Sequence, residues 1–392
     1  DELHVEVSYS GEVMPEVGVM IMDKDQIKAG AKLTDGKGTI KLSDYELWSP
    51  ENPYLYDIKF AAGEDRVDSY FAMRKFSTGV DADGTPRFML NNKPYFFNGL
   101  LDQGYFSDGI YTPATPEALE NDIFKMKDCG FNMLRKHIKI EPLRWYYHCD
   151  RLGMICWQDM INGGGEYNFL AIGTMPFLAM LFNNKHVGKI SDDKRHYGYF
   201  ARKDPAGRAE YFEESAEMID LLYNVTSLAL WTPFNEAWGQ FDTEKVVEFT
   251  DNLDNTRLIN SASGGNHHMC GDIHDSHNYP RPRMKCTSGG QLIDVLGEYG
   301  GIGYPVMGHL WQADKNWGYV KYDSSEAVLK EYIDFAEELI TTIPGGCSAA
   351  VYTQTTDVEG EVNGIMTYDR KVIKVDEAKL KEINQKVIKS LK

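Results

Sequence analysis

Leu228-Ala229-Leu230-Trp231, closed by Asn235-Glu236, and Leu292-Ile293-Asp294-Val295-Leu296-Gly297, closed by Glu298-Tyr299, are the stretches that decide the fold. Both are short apolar runs without polar alternation, the pattern of a strand buried on both faces of a parallel sheet. Six similar runs lie around them: Pro94 to Gly99, Phe131 to Arg135, Met154 to Trp157, Arg257 to Asn260, Asp272 to His274 and Cys347 to Tyr352. Helical patterns follow most of these runs. One starts at Thr115-Pro116-Glu117, with Thr115 as N-cap and Pro116 at N1, and stops at Cys129-Gly130. Others pass through Arg144 to Tyr147, Glu210 to Tyr223, Thr243 to Leu253, Ser324 to Thr341 and Val375 to Leu391. Eight strands alternating with helices predict a (β/α)8 barrel over residues 86–392. A doubly wound open sheet is the competing fold. Its glycine-rich fingerprint belongs after the first strand, whereas Gly163-Gly164-Gly165 sits in a long loop after the third.

Residues 1–85 read differently. Leu3 to Tyr9 alternates at period two, and Val17 to Met22, Gly30 to Leu33 and Gly38 to Leu42 follow at short spacing, with Asp35-Gly36 as a turn. Strands at that spacing predict an immunoglobulin-like β-sandwich of about seven strands.

Composition excludes several functions. Lys plus Arg is 41 against 59 Asp plus Glu, a net charge of −18, so a polyphosphate would be repelled and nucleic acid is not an expected partner. The longest apolar stretch, Phe169 to Phe182, is broken by Gly173 and Pro176, so no membrane span is expected. Six cysteines without regular spacing form no disulfide framework. The chain opens on Asp1 without a signal peptide and reads as a processed or excised piece, which leaves its localisation open. Its 23 Tyr, 18 Phe and 7 Trp offer flat faces with polar handles, which suit a sugar as well as a large core.

Barrel active sites lie at the C-terminal ends of the strands, so polar residues that end apolar runs are the candidates. Here they are Asp102-Gln103, Arg135-Lys136-His137, Gln158-Asp159, Asn235-Glu236, His277-Asn278-Tyr279, Glu298-Tyr299, and Gln354 with Asp357. One carboxylate in such a place is more often half of an ion pair. Two on different strands, with Asn, His, Tyr and Trp around them, reverse that reading. The chemistry that needs them is glycoside hydrolysis, in which one carboxyl protonates the leaving oxygen and the other attacks or activates water.

Trp48-Ser49-Pro50-Glu51-Asn52-Pro53-Tyr54-Leu55-Tyr56 resembles the motif that closes the immunoglobulin-like domain of glycoside hydrolase family 2, the family of β-galactosidases, β-glucuronidases and β-mannosidases. Asn98-Gly99, Asn235-Glu236 and Glu298-Tyr299-Gly300 are similar to the same family's barrel. The resemblance implies a retaining, exo-acting hydrolase of β-glycosidic bonds, β-galactosidase-like, with Glu236 as acid/base and Glu298 as nucleophile. It further implies that Asn235 holds the sugar 2-hydroxyl, that Tyr279 hydrogen-bonds the nucleophile, and that His137 and Arg135 line the pocket or brace Glu298. Asp102, Asp159, Trp311 and Gln354 complete the expected sugar-binding set. No cofactor and no metal are implied, and the expected partner is a carbohydrate. Three departures bear on which sugar is bound. The family's usual jelly-roll domain is absent ahead of the immunoglobulin-like one, Arg135 and His137 are two residues apart rather than three, and Tyr352-Thr353-Gln354 stands where many members have a Trp.

A retaining mechanism predicts that Glu236 and Glu298 face each other about 5–5.5 Å apart. At that distance the charge on Glu298 is expected to raise the pKa of Glu236. The segment Asn162 to Gly207 is long enough to be a lid, and its Phe169, Met175, Phe177, Met180 and Phe182 are expected to pack rather than meet water. Two other functions compete. His267, His268, Cys270, His274 and His277 are dense enough to suggest a metal-dependent hydrolase, although neither an HxH after the first strand nor an HExxH helix is present. The other is a non-catalytic carbohydrate-binding fragment of a larger enzyme.

Overall fold

The computed structural model describes residues 1–13, 15–166, 168, 170 and 190–391. The chain divides into two compact units, Asp1–Lys75 and Phe76–Lys392. That division falls ahead of the 85/86 boundary drawn from the sequence, because the hairpin that starts at Phe76 belongs with the barrel.

The first unit is a sandwich of two antiparallel sheets. β1 (Glu2–Glu6) pairs with β4 (Lys37–Lys41), and β3 (Gln26–Leu33), β2 (Val17–Asp23), β5 (Tyr56–Ala62) and β6 (Asp65–Phe71) form the other sheet in that order. Val17, Val19 and Ile21 alternate inward from β2 and meet Tyr56, Ile58, Ile40 and Leu33 in one core. Asp35 and Gly36, at φ 49° and 75°, make the two-residue turn between β3 and β4, both φ positive as in the type I′ turn whose twist matches that of the flanking strands. Among the described residues the unit has six strands, not the seven expected.

In the second unit, β7 (Phe76–Val80), β8 (Pro86–Leu90) and β9 (Lys93–Pro94) form an antiparallel entry. Phe88 stacks on Phe97 at 4.6 Å and lies 5.6 Å from Trp157, plugging the N-terminal end of the barrel. Buried Arg87, held within this entry by Asp81 (2.8 Å), ties it to the barrel through the Cys347 carbonyl (2.9 Å).

The barrel strands are β10 (Phe97–Asp102), β11 (Met133–Lys136), β12 (Ile155–Asp159), β13 (Leu228–Thr232), β15 (Leu258–Ile259), β17 (Ile273–Asn278), β18 (Ile293–Gly300) and β21 (Ala349–Thr353). All eight are parallel, in the order β15-β13-β12-β11-β10-β21-β18-β17. Short extensions pair above them, β14 (Phe234–Asn235) with β16 (Ala262–Ser263), and β19 (Ile302–Gly303) with β20 (Val320–Lys321). Every residue of β10, β12, β13, β18 and β21 is buried, as the apolar runs required. Among the described residues no ladder forms between β15 and β17. Asp272 closes that gap instead, its N–H donating to the Ile259 carbonyl and its carboxylate accepting the Ile259 N–H, both at 2.8 Å.

The helices are α1 (Pro116–Asp128), α2 (Leu143–Leu152), α3 (Pro205–Leu222), α4 (Thr243–Leu253), α5 (Ser325–Thr342) and α6 (Glu377–Ile388). α3 starts five residues before the Glu210 read from the sequence. Asp204 caps it by accepting from Ala206 and Gly207 N–H, with Pro205 at N1. The described part of the 162–207 segment packs: Arg202 lies over the rings of Tyr211 and Phe241, and Asp192 caps the first turn of α4 through Thr243. Phe169, Met175, Phe177, Met180 and Phe182 lie outside the described residues.

Candidate active site

β17 and β18 set the centre of the site. Their register slips between Ser276 and His277, so that Ser276 faces Leu296 but His277 faces Glu298. The residue passed over is Gly297. Its N–H donates to Asp275 Oδ1 (2.7 Å), and a Cβ there would stand 2.1 Å from that oxygen, so only glycine fits. A bulge re-aims the residue that follows it, and here that residue is Glu298.

Arg135, at the end of β11 and fully buried, organises one side. Its guanidinium holds Asp159 through two bonds (3.0 and 2.9 Å), Asn235 Oδ1 (2.9 Å) and Glu298 Oε1 (3.2 Å). The other oxygen of Glu298 accepts from the Tyr279 hydroxyl (2.7 Å), which also shares a hydrogen bond with Thr353 Oγ1 (2.6 Å). Tyr319 stacks flat on Tyr279, 3.8 Å between centroids.

Glu236 follows β14 with φ at 50°, and Ala237 with φ at 62°, a left-handed pair without glycine. Gly265 makes this possible, since a Cβ at 265 would lie 2.7 Å from the Ala237 nitrogen. The turn leaves 46% of the Glu236 side chain open to the cleft.

His277 stands between the two carboxylates, its Nδ1 3.0 Å from Glu236 Oε1 and 3.5 Å from Glu298 Oε2. On its far side Nε2 lies 2.8 Å from Ser263 Oγ. Ser263 has one hydroxyl hydrogen, and Asp275 Oδ2 takes it at 2.6 Å while also accepting from Asn260. The ring must therefore donate from Nε2, and Nδ1 between two carboxylates must donate as well. His277 is held as an imidazolium. Although burial opposes its charge, Glu298 and Glu236 push its pKa up to about 9. Burial also pushes Glu236 upward, but the His277 hydrogen bond and charge outweigh it and leave Glu236 below the ordinary glutamate range. This reverses the direction expected from the sequence. A cation sits between the carboxylates, so the charge on Glu298 does not act on Glu236 alone.

The remaining candidates fall into two groups. His137 sits beside the carboxylates with Nε2 unpartnered among the described residues, and burial lowers its pKa. Asn235, Tyr279, Arg135 and Asp159 belong to the network above. Asp102 is instead taken by Lys136 (2.8 Å), which also pairs with Glu141 (2.9 Å). Gln354 donates to Glu361 Oε2 (2.7 Å) and Asn363 Oδ1 (2.8 Å). Trp311 packs against Tyr368, 5.7 Å between centroids, while Tyr319 rather than Trp311 supplies the ring at Tyr279.

The histidine cluster does not converge. His267 meets the Ile273 carbonyl, His274 pairs with Asp294 (2.8 Å), and His268 lies near Asp192 (3.7 Å). Among the described residues the group able to hold a metal ion is Glu236, His277 and Glu298, whose ligand atoms lie within 4.8 Å of one another. The sequence reading placed His277 only as a strand end and a cluster member, and it missed Ser263, Asp275, Tyr319 and Glu361.

This architecture, a β-rich unit followed by a parallel barrel, is shared with known proteins. The model described as glycosyl hydrolases family 2, TIM barrel domain, matches residues 83–285, and the model described as glycosyl hydrolases family 2 matches residues 2–74. The chain belongs to glycosyl hydrolase family 2. A β-galactosidase of Leuconostoc mesenteroides subsp. mesenteroides is 23% identical over 245 residues, covering 60% of this chain and 21% of that relative. The chain spans about a fifth to a third of the length of the curated relatives it matches. Among solved structures, a β-glucuronidase of Ruminococcus gnavus superposes with a TM-score of 0.72 at 16% identity, covering 98% of this chain and 66% of that one. A family 2 β-galacturonidase of Eisenbergiella tayi gives 0.69 at 16% identity, covering 98% and 68%. At these identities the two structures share the fold.

Proposed function

We propose that the protein is a retaining β-glycosidase that removes a terminal, β-galactosidase-like sugar by double displacement, with Glu298 as nucleophile and Glu236 as acid/base. One observation carries this reading. An oxygen of each carboxyl lies within 4.8 Å of the other and of a His277 ring nitrogen, the short separation that direct attack by Glu298 calls for. Retaining enzymes hold their carboxyl groups about 5–5.5 Å apart and inverting ones about 6.5–9.5 Å.

In the first step Glu298 Oε attacks the anomeric carbon as the bond to the leaving oxygen breaks. The proton held between His277 Nδ1 and Glu236 Oε1 passes through Glu236 to that oxygen. Arg135 and Tyr279 fix the attacking carboxylate, and Asn235, held by Arg135, faces the sugar 2-hydroxyl. His137 Nε2 supplies a further polar contact for a hydroxyl. Once Glu298 is esterified its charge is gone, so His277 binds its proton less tightly. Water then attacks the anomeric carbon, gives its proton to the Glu236–His277 pair, and releases Glu298.

The test is a panel of nitrophenyl glycosides, with the anomer released by the best substrate followed by NMR. The expected result is turnover of a β-glycoside with the β-anomer appearing first. First release of the α-anomer refutes the retaining mechanism, and no turnover of any glycoside refutes the hydrolase reading.

A further inference from the structure

A third carboxylate stands in the same mouth. Glu361 Oε2 accepts from Gln354 Nε2 (2.7 Å) and from Gln103 Nε2 (3.1 Å), and the Gln103 amide also donates to Gln354 Oε1 (2.8 Å). Gln103 follows β10 and Gln354 follows β21, so the ends of two barrel strands fix this side chain. The link to the nucleophile is short: Gln354 is the neighbour of Thr353, which bonds Tyr279, which bonds Glu298. On the outer side, the Trp317 N–H donates to the Gly360 carbonyl (2.8 Å) and the Val362 N–H to the Trp317 carbonyl (3.0 Å). That pairing holds Glu361 alongside Trp317 and Tyr319, the latter half exposed and stacked on Tyr279.

Glu361 has amide partners and, among the described residues, no ion pair. The buried cations of this mouth are committed elsewhere, Arg135 to Asp159 and Glu298, Lys136 to Asp102 and Glu141, Lys374 to Asp357. Burial, with the Glu298 charge adding to it, holds the Glu361 carboxyl above its ordinary range against the two amide bonds. Such a wall accepts hydrogen bonds from hydroxyl groups and offers no counter-charge to an anion.

We propose that Glu361, fixed by Gln103 and Gln354, selects the sugar, and that the substrate is a neutral pyranoside rather than a uronic acid. This rests on the glycosidase reading above and separates two kinds of sugar that its fold admits.

The experiment compares nitrophenyl β-galactoside with β-galacturonide, and β-glucoside with β-glucuronide, pairs that differ only at C6. The neutral member of the better pair is expected to lead in kcat/KM by on the order of 100-fold, the effect of one uncompensated like-charge contact. Glu361→Gln, which keeps the shape, is expected to narrow that ratio by on the order of tenfold. A uronide equal to or better than its neutral partner, or a ratio unmoved in Glu361→Gln, overturns the proposal. Calorimetric binding of a neutral aldonolactone and its uronic counterpart to the unaltered chain separates the two levels of the argument. Tighter neutral binding without hydrolysis sinks the glycosidase reading and supports the wall. Equal or tighter uronic binding overturns the wall, and binding of neither lactone overturns both.

Discussion

His277→Gln removes the charge from the centre of the site while leaving an amide able to donate to Glu236. In the native chain the imidazole is carried from an ordinary pKa of 6.5 to about 9, which amounts to about 3 kcal/mol of tighter proton binding in the folded state. The folded pKa is the raised one. The contribution is therefore complete below pH 6.5, declines as pH rises, and is lost through about 9. Glu236 runs the other way: its lowered pKa stabilises the fold above the ordinary glutamate range and is lost as pH falls through the folded value. Between pH 6 and 10 the histidine dominates.

Two measurements read this. The imidazole resonance of His277, assigned by its absence in His277→Gln, is expected to titrate near pH 9. The stability gap between native and variant in urea is expected to close by about 3 kcal/mol between pH 6 and pH 10. Kinetics give a third view, because in the proposed mechanism the acid proton belongs to the Glu236–His277 pair rather than to either residue. The alkaline limb of kcat/KM is expected near 9 in the native chain and lower in His277→Gln, where Glu236 must hold the proton alone. A ring that titrates at or below 6.5, together with an alkaline limb that does not move, would refute the imidazolium bridge.

Other perturbations probe the surrounding roles. Glu298→Gln keeps the shape without the attacking charge, so turnover should fall by several orders of magnitude with the fold intact; a mechanism-based fluorosugar that labels any other residue sinks the assignment. Glu236→Ala removes the proton donor, so unactivated disaccharides should lose far more activity than a dinitrophenyl glycoside, and equal losses would rule Glu236 out as the acid. Arg135→Met leaves the buried Asp159 and Glu298 without their cation and should cost about 3–5 kcal/mol of unfolding free energy. A loss below 1 kcal/mol in that variant would mean the carboxylates are not held as pairs.

The barrel was legible because its strands are buried on both faces. Leu228 to Trp231 and Leu292 to Leu296 carry no alternation that a half-exposed sheet would impose. Glu236 and Glu298 were legible for the complementary reason, since each ends a run whose other members are core. His277 was not. It is one of four histidines within eleven residues, and nothing in the order of side chains says which one enters the mouth. The slip at Ser276/His277 decides that, and it depends on Gly297 lying against Asp275, a contact between strands that no local pattern encodes. Tyr319 and Glu361 were hidden differently, since both lie on loops whose path is set by pairing between 317 and 360–362. The start of α3 was readable in Asp204-Pro205 but was obscured by the length of the segment before it.

The unread residues and the read ones divide the work of the site. In the proposed mechanism carboxylates at strand ends supply the reacting oxygens, yet two of them this close repel each other, so that one would hold a proton at a strongly raised pKa. The imidazolium removes that conflict. On the proposed mechanism it lets Glu298 stay charged for attack and keeps a proton on the Glu236 side, while Asp275 and Ser263 hold the ring from behind. Asp275 in turn is held by Asn260, Ser263 and the Gly297 N–H, and that last bond is the one that creates the bulge aiming Glu298. One buried carboxylate thus sets both the direction of Glu298 and, through Ser263, the charge of the group beside it. In the proposed mechanism the glycine at 297 and the aspartate at 275 are positioning residues for the two glutamates, although neither would touch the sugar.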